Sequence, residues 1–400
     1  MVQHPRLRLR KQEARRLRAG HLWVFSNEID TTKTPLKGLA RGALVTLEDA
    51  EGGSLGVAYA NPDSLITARI LSRDPNAPID RDFFVRRIQG ALARRTALFA
   101  APFYRLVHGE SDGLPGLVID RFGGLLVVQS GTAGMDALET PLIEALIDCL
   151  APTAILIRNT SGLRALEGLL PRTEWVHGEA LAPEVQENGA IFQLDPVTGQ
   201  KTGWFYDHRE NRARLSALSK GRRVLDLFAY TGAWGIQAAL GGALSVDAVD
   251  ASLPALALLQ ANAERNGVLD RLRTHPADVF EFLKAAKDEG RRWDIVVVDP
   301  PAFIKRKKDL PQGTQAYRRL NQMAVEVLEA EGCLVSASCS FHLSEASLME
   351  QVRAATRSLG RPAAVFHRGG QGPDHPIHPA IPETDYLKAL FAFVGARGDS

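Results

Sequence analysis

Cys339 is the residue whose surroundings raise the first chemical question. An apolar run at 333–335 leads into Ser338-Cys339-Ser340, within the stretch SASCSFHLS. A lone cysteine at the end of a strand is more often a small packing residue than a nucleophile. A thiolate is nevertheless a strong nucleophile, and a thiol with an ordinary pKa of about 8.5 reacts well where its surroundings favour the thiolate. Taken alone, the stretch leaves both interpretations open.

A second chemical feature is the turn VVVDPPAF, in which Asp299 ends a predicted strand and two prolines follow. Proline stiffens the backbone and removes N–H groups, so this turn would hold a carboxylate and an open carbonyl at the strand end. Methyltransferases that act on nucleobases use [DN]-P-P turns to hold a base that has left its stack. Phe303 is the candidate to stack on such a base. The alternative is a rigid loop without chemistry.

Together, the two features suit methylation of carbon 5 of a pyrimidine. If their strands are neighbours, the Cys339 thiol and the Asp299 carboxylate lie at one edge of a sheet, beside one methyl donor. Carbon 5 is a poor nucleophile, but thiolate addition to C6 makes it enamine-like, and Asp299 can donate to N3 of cytosine or orient it and so offset the charge that develops in the ring. The sequence does not identify the base that removes the C5 proton. This pairing favours a nucleophilic Cys339, whereas Cys333 and Cys149 are expected to pack.

The expected cofactor site follows an earlier strand, RVLDLFA. The next loop holds one glycine, Gly232, and lacks the three-glycine pattern that cradles a pyrophosphate. The following strand ends in Asp250, 24 residues after Asp226 (250 − 226 = 24), where a carboxylate can accept both ribose hydroxyls of a nucleoside. This pattern favours S-adenosylmethionine over NAD.

Two acids near this site have an alternative role as helix caps. Asp250 precedes a predicted helix, although Ser252 can cap that helix instead. Asp278 opens the helix in HPADVFEFL and is equally well a cap or a contact for the adenine amino group.

The elements that must position these residues alternate between strands and helices after residue 191. The predicted pairs are strand 223–229 with helix 232–240, strand 244–250 with helix 253–266, strand 294–299 with helix 316–330, and strand 333–338 with helix 343–358. This alternation predicts βαβ units and a parallel sheet, in which ligands bind at the carboxyl ends of the strands.

The first half of the chain has a different pattern. Residues 1–72 contain short strands (GALVTLED, SLGVAYA and SLITARILS), and EDAEGGS between the first two predicts a hairpin, so a small barrel is expected. Residues 72–80 form a candidate linker, and 80–99 an amphipathic helix. Strands, a helix at 135–150 and the strand AILIR then predict an α+β unit that ends near residue 190.

Composition narrows the class of protein. The 400 residues carry a net charge of +2 and three cysteines, too few for a disulfide framework or a zinc cluster. No apolar stretch predicts a membrane span or a signal peptide, so we expect a cytoplasmic protein without a metal site. Basic residues cluster in the first 20 positions and at 305–308. Such clusters either bind nucleic acid or form a solubilising face.

At this point the motifs carry a resemblance. They are HLWVFSNEI, GESDGLPGLVIDRFG, KTGWFYDHRENR, LFAYTG, VDPPAF, SCS and DHPIHPAIPETDYLK. The C-terminal part resembles class I S-adenosylmethionine-dependent methyltransferases, and the whole chain resembles bacterial 23S ribosomal RNA cytosine-5 methyltransferases with an N-terminal PUA domain. The resemblance implies an α/β fold with three domains: a PUA β-barrel (1–72), a small α+β domain (73–190) and a Rossmann-like catalytic domain with a mixed seven-stranded sheet (191–400).

The resemblance also implies roles for individual residues. It implies that Cys339 is the nucleophile, while the position of Asp299 at the end of the preceding strand makes it the second catalytic candidate. Where other RNA cytosine-5 methyltransferases carry a second cysteine that helps product release, this chain reads Pro300-Pro301-Ala302. The implied cofactor-binding residues are Asp226, Phe228, Ala229, Tyr230, Thr231, Gly232, Asp250, Ala251, Ser252, Asp278, Asp299, Pro300 and Arg209. The candidate substrate-binding residues are Pro301, Phe303, Lys305, Arg8, Arg15 and Arg16.

Further candidates come from three of the motifs. KTGWFYDHRENR places Lys201, Thr202, Gly203, Asp207 and Arg209 over the cofactor in the family, although Arg209 is alternatively a salt-bridge residue at a domain joint. His375 and Pro376 either border the active site or are structural. His342 follows SCS where relatives often have small or apolar residues, and a surface or capping role competes with substrate contact or proton transfer.

The expected activity is the formation of 5-methylcytosine in 23S rRNA, with S-adenosylmethionine as the cofactor. The RNA partner is free 23S rRNA or an assembling large subunit, and a homodimer is compatible with the sequence although no coiled coil or repeat indicates one. Two alternatives remain: an rRNA base-nitrogen methyltransferase, for example at guanine N7, which needs no cysteine, and a non-catalytic rRNA-binding assembly factor.

Overall fold

The computed structural model describes residues 4–398, which form two compact units. The first unit contains residues 4–183, 195–204 and 373–384, and the second contains residues 184–194, 205–372 and 385–398. Residues 1–3 and 399–400, at the outer ends of the first and last predicted domains, lie outside the described residues. The boundaries at 72 and 190 stay a prediction.

The first sheet of the first unit closes on itself. Its elements are β1 (Arg6–Arg8), α1 (Ala14–Arg18), β2 (Trp23–Phe25), β3 (Ala43–Glu48), β4 (Ser54–Ala60) and β5 (Ile66–Ser72). The strand order is β1-β3-β4-β5-β2. Past the ends of the two edge strands, Leu9 pairs with Ile29, and Arg10 N–H donates to the Glu28 carbonyl at 2.8 Å. These bonds satisfy edge groups and make the predicted small barrel.

The second sheet of this unit carries helices. Its elements are α2 (Arg81–Leu98), β6 (Phe103–His108), β7 (Leu117–Phe122), β8 (Leu125–Ser130), α3 (Ala133–Ala137), α4 (Glu139–Leu150), β9 (Ala154–Asn159), α5 (Leu163–Leu166) and β10 (Arg172–His177). The strand order is β10-β9-β8-β7-β6. The helix predicted at 80–99 is α2, which Asp80 caps by accepting a hydrogen bond from Phe83 N–H at 3.0 Å. The helix predicted at 135–150 is split into α3 and α4.

The second unit contains a mixed seven-stranded sheet, as predicted. Its elements are β11 (Glu184–Glu187), β12 (Ala190–Gln193), α6 (Arg209–Leu218), β13 (Arg223–Leu227), α7 (Ala233–Leu240), β14 (Ser245–Asp250), α8 (Leu253–Arg265), β15 (Leu272–Pro276), α9 (Val279–Asp288), β16 (Trp293–Val298), α10 (Leu310–Glu326), β17 (Leu328–Ser338), α11 (Glu345–Ser358), β18 (Ala363–Gly369) and β19 (Lys388–Val394). The strand order is β15-β14-β13-β16-β17-β19-β18, and β11 pairs with β12 separately.

Sequence explains the arrangement of this sheet. The central strands read as near-continuous apolar runs, such as WDIVVV in β16, because helices cover both faces. Strands β13 to β17 run parallel, and β19 runs antiparallel to β17. All parallel strands therefore end at one edge, and the first residue of β19, Lys388, lies at that same edge.

Two predicted elements are wrong in their bounds. The helix predicted at 316–330 is α10, which begins at Leu310 and ends at Glu326, because proline is tolerated in the first helical turn. The strand predicted at 333–338 begins at Leu328. Its pairing with β16 shifts after Leu328, and Glu331 has φ of +58°, so an irregular stretch precedes the regular strand. Within residues 4–398, helices long and apolar enough to cross a membrane are absent.

Candidate active site

The two strands that carry the predicted catalytic residues are neighbours. Strands β16 and β17 pair in parallel with Val298 opposite Ser336. Asp299 directly follows β16, and Cys339 directly follows β17. The carboxylate and the thiol therefore lie on adjacent strand ends at the ligand-binding edge of the sheet.

The serines on either side of Cys339 hold the strand end in place. Ser338 Oγ donates to Tyr317 Oη at 2.8 Å, and Tyr317 Oη lies 3.0 Å from Ser340 Oγ. Ser340 N–H also donates to Ser338 Oγ at 3.1 Å. Both serines are buried, whereas Cys339 is partly exposed. The small polar residues of SCS thus fix the backbone internally while the cysteine between them reaches solvent.

The other two cysteines have different surroundings. Cys333 is buried within β17, and burial raises the pKa of its thiol to about 12. Burial also raises the pKa of the Cys149 thiol in α4, far along the chain from the strand ends. Neither environment favours a thiolate, which agrees with the packing role predicted for both.

The carboxylate of Asp299 is held by two ring nitrogens. Trp234 Nε1–H donates to Oδ2 at 3.0 Å, and His208 Nε2 lies 3.3 Å from Oδ1. Burial acts to raise the pKa of Asp299, but the charge and hydrogen bond of His208, with the Trp234 hydrogen bond, outweigh it and hold the pKa below its ordinary value. Asp299 is therefore ionised at neutral pH and accepts hydrogen bonds rather than donating them.

The tautomer of His208 follows from its second partner. The amide nitrogen of Asn211 donates to the Gly370 carbonyl at 3.0 Å, which fixes the orientation of that amide. The same amide nitrogen lies 3.0 Å from His208 Nδ1, which must accept its second proton. In neutral His208 the ring proton is thus on Nε2, facing Asp299.

The loop after β13 is tied to the end of β14. Asp250 Oδ2 accepts from Tyr230 N–H at 2.9 Å, and Oδ1 accepts from Ser252 N–H at 2.8 Å. Ser252, not Asp250, is the N-cap of α8, since its hydroxyl accepts from Ala255 N–H at 3.3 Å. Asp278 does cap a helix: its Oδ1 accepts from Phe280 N–H and Glu281 N–H at the start of α9.

This loop also has an unusual backbone. Phe228, Tyr230 and Gly232 have φ values of +62°, +48° and +88°. Positive φ is costly for residues with a side chain, and strain of this kind is concentrated at functional sites. A Cβ at Gly232 would lie 2.6 Å from Leu259 Cγ, so only glycine fits there. The single glycine identified in the sequence is therefore required by both conformation and space.

Three carboxylates line the edge where a cofactor would bind. Burial raises the pKa of Asp226 to about 8; the Gly235 N–H bond at 2.9 Å opposes this, and the charges of Asp299 and Asp250 add to it. Among residues 4–398, Asp226 Oδ1 and Thr231 Oγ1 are buried without a hydrogen-bond partner. Acidic groups gathered at one edge, with hydrogen-bonding capacity left unused, fit a positively charged ligand with hydroxyl and amino groups, such as S-adenosylmethionine.

The sheet order, the acids after β13 and β14 and the Asp-Pro-Pro turn after β16 define a class I methyltransferase. Comparison with known proteins identifies the family. Residues 170–390 match the family described as "S-adenosylmethionine-dependent methyltransferase", and residues 7–73 match the "PUA-like domain". The chain belongs to the S-adenosylmethionine-dependent methyltransferases, and the predicted cofactor, fold class and PUA-like domain are confirmed.

Relatives with similar sequences cover almost the whole chain. A protein of Shewanella denitrificans, named "Ribosomal RNA large subunit methyltransferase I", is 38% identical over 97% of this chain and 99% of its own length. A protein of Vibrio cholerae with the same name is 37% identical over 96% of this chain and 98% of its own. The resemblance predicted from the motifs is thus confirmed.

Solved structures share the fold at lower identity. The protein SMU.776, crystallised with SAH, is 20% identical and aligns over 97% of this chain and all of its own with a TM-score of 0.84. A second structure, from Streptococcus mutans, aligns over 97% of this chain and all of its own with a TM-score of 0.82, also at 20% identity. At this identity the likeness establishes the fold alone.

The remaining candidates fall into both units. Arg209 lies in the second unit, with Nε 3.7 Å from Glu187 Oε2 and its guanidinium over the Tyr206 ring, so it makes an ion pair within that unit. In the first unit, Thr202 Oγ1 donates to Asp120 at 2.6 Å, and His375 packs on the His108 ring.

The candidate substrate-binding residues differ in exposure. Pro301 and Lys305 are exposed, while Phe303 is partly buried with its ring 4.9 Å from that of Tyr317. In the first unit, Arg8 is bound to Glu48 at 2.6 Å and Arg16 to Glu28 at 2.7 Å, whereas Arg15 is exposed. His342 is partly exposed beside Phe341.

Sequence reasoning did not find four residues that shape this site: His208, Trp234, Tyr317 and Lys388. Trp234 is 65 residues from Asp299, and Lys388 is 48 residues from the Ser340 carbonyl to which it donates. Their signal was present, since His208 and Lys388 lie in the motifs KTGWFYDHRENR and DHPIHPAIPETDYLK, and Trp234 follows LFAYTG.

Proposed function

We propose that this protein methylates carbon 5 of a cytosine in 23S ribosomal RNA through a covalent adduct between Cys339 and cytosine C6. The observation that carries the proposal is the position of Cys339. It is partly exposed at the end of β17, its neighbours are fixed by Tyr317, and Asp299-Pro300-Pro301 ends the adjacent strand. Supporting the choice of substrate, the relatives from Shewanella denitrificans and Vibrio cholerae are named as large-subunit ribosomal RNA methyltransferases.

The residues of this chain would act in a defined order. The Cys339 thiolate adds to C6, an S–C6 bond forms, and the electrons of the C5–C6 double bond move toward C5. Bound S-adenosylmethionine supplies the electrophilic methyl group that C5 accepts. Loss of the C5 proton to a base then restores the double bond and expels the Cys339 thiolate.

Asp299 would stabilise the activated ring. Because it is ionised, it would accept a hydrogen bond from N3 once solvent has protonated that nitrogen, and so offset the electron density that builds up in the ring. His208 is unsuited to remove the C5 proton in this arrangement, since Nδ1 accepts from Asn211 and Nε2 faces Asp299. Its role is to hold the Asp299 carboxylate.

The remaining parts of the proposal concern context. We place the reaction in the cytoplasm, where a reactive thiol stays reduced. The PUA-like domain, residues 7–73, would bind the RNA next to the target through its basic face. Free 23S rRNA and an assembling subunit are both admissible substrates, and a homodimer stays a proposal.

The substrate is tested by nucleoside mass spectrometry of 23S rRNA from a strain that lacks the gene. We expect one 5-methylcytidine to disappear and to return when the wild-type gene, but not the Cys339→Ala gene, is restored. Loss of a methylated guanine instead would assign the enzyme to base-nitrogen methylation. Unchanged rRNA would leave an RNA-binding assembly role.

A further inference from the structure

Lys388 runs alongside Cys339. It is the first residue of β19, and its backbone pairs with Ser338 in β17. Its Nζ donates to the Ser340 carbonyl at 2.8 Å. The lysine therefore contacts the chain on both sides of residue 339, and its ammonium lies beside the backbone that carries the cysteine.

The Lys388 ammonium is buried, and its hydrogen-bonding capacity is only partly used. The residue is 7% exposed, and the Tyr386 carbonyl at 2.8 Å is its second hydrogen-bond acceptor. An ammonium has three N–H donors, so two carbonyls leave one donor to be matched. A buried ammonium is costly unless it is paired, which indicates that a negative charge belongs beside it.

The charges around the site agree with a pairing to the cysteine. Burial lowers the pKa of Lys388, and the charge interactions with Asp385 and with an ionised Cys339 oppose this shift. The phenol of Tyr317, on α10, bonds to the serines on either side of the cysteine, and burial raises its pKa, so it stays neutral. Among these groups, the cation that faces Cys339 is Lys388.

We propose that Lys388 is a positioning residue that holds Cys339 as a thiolate and anchors the strand end that carries it. The same ammonium would stabilise the sulfur twice: before it forms the bond to C6, and again when that bond breaks and the electron pair returns to sulfur. This inference rests on the proposed role of Cys339 as the nucleophile, but its test uses neither RNA nor cofactor.

The test measures the rate at which iodoacetamide alkylates Cys339 as a function of pH, in the full-length protein, with mass spectrometry to separate it from Cys149 and Cys333. In wild type we expect the midpoint below the ordinary thiol value of about 8.5. Lys388→Gln should raise the midpoint by about one pH unit and slow alkylation at pH 7 about tenfold. Lys388→Arg keeps the charge and should stay close to wild type.

Two outcomes would overturn the inference. In the first, wild type and Lys388→Gln have equal midpoints and the variant differs only by a lower melting temperature. Lys388 would then have a structural role alone. The other is a wild-type midpoint at or above about 8.5, which requires no lysine variant to fold. Thiolate absorbance at 240 nm gives an independent value of the Cys339 midpoint, when the pH titration of Cys339→Ala is subtracted from that of wild type. A low midpoint without any RNA adduct would contradict the proposed function while leaving this inference standing.

Discussion

At the residue scale, the account depends on how the surroundings separate chemically similar groups. All three cysteines carry the same thiol group, but their exposure differs. Cys333 is buried inside a strand, whereas Cys339 is partly exposed at the end of that strand. Three aspartates share the sheet edge, but His208 and Trp234 keep Asp299 ionised while burial raises the pKa of Asp226 to about 8. Chemical roles therefore follow from position rather than from residue type.

The raised pKa of Asp226 predicts a pH-dependent stability. Its folded pKa, about 8, lies above its unfolded value of 3.8, so between these values the native state binds more protons. The free energy of unfolding therefore falls as the pH rises through this window, by up to about 1.4 kcal/mol for each pH unit. Asp226→Asn removes this contribution.

Between pH 5 and pH 8, we expect the free energy of unfolding of wild type to fall by about 2–4 kcal/mol relative to that of Asp226→Asn. Urea unfolding without cofactor at both pH values measures it. The exposed Asp288→Asn is the matched control and should show no such change. Parallel pH profiles for wild type and Asp226→Asn would contradict the assigned ionisation of Asp226.

At the element scale, regular patterns were predictable and irregular ones were not. The helices α7, α8 and α11 lie within two residues of their predicted bounds, because apolar periodicity marks all three and capping serines mark the starts of α8 and α11. The early start of α10 was missed because Pro311 suggests the end of a helix rather than its first turn. Strand β15 was missed because its sequence, LRTHP, carries no run of β-branched residues. The motif loops were identified, but the residues that support them come from distant elements.

The short helix α1 carries the expected RNA contact of the barrel. Arg15 lines a cavity of about 410 Å³ together with Arg10 and Arg18. Arg15→Glu should weaken RNA binding and reduce the slope of log affinity against log salt by about 1 for the lost phosphate contact. Because Arg15 is exposed, its substitution should leave stability nearly unchanged.

Filter binding at several salt concentrations measures this effect, with the exposed Lys37→Glu as the control in the same domain. If Arg15→Glu and Lys37→Glu give equal slopes of log affinity against log salt, α1 does not contact RNA and its arginines serve solubility. Arg8 and Arg16 are less suitable probes, since each is paired with a nearly buried carboxylate and its reversal would also destabilise the barrel.

At the scale of the whole molecule, the chain combines a family-wide catalytic fold with a PUA-like domain. The end-to-end match to relatives of 37–38% identity covers both. The seven-stranded sheet brings residues from positions 208 to 388 to one edge, which explains why the class of protein was predictable from motifs. Contacts such as that of Lys388 with Ser340 depend on the pairing of β17 with β19, which no local pattern specifies.

The central claim is that Cys339 forms a covalent bond to cytosine C6. The direct measurement uses a 23S rRNA transcript containing 5-fluorocytidine, incubated with the full-length protein and S-adenosylmethionine and analysed on a denaturing gel. Fluorine at C5 cannot leave as a proton does, so the adduct should persist with wild type and Cys333→Ala and be absent with Cys339→Ala. Methylation of ordinary RNA by Cys339→Ala, or an adduct formed by that variant, would contradict the account.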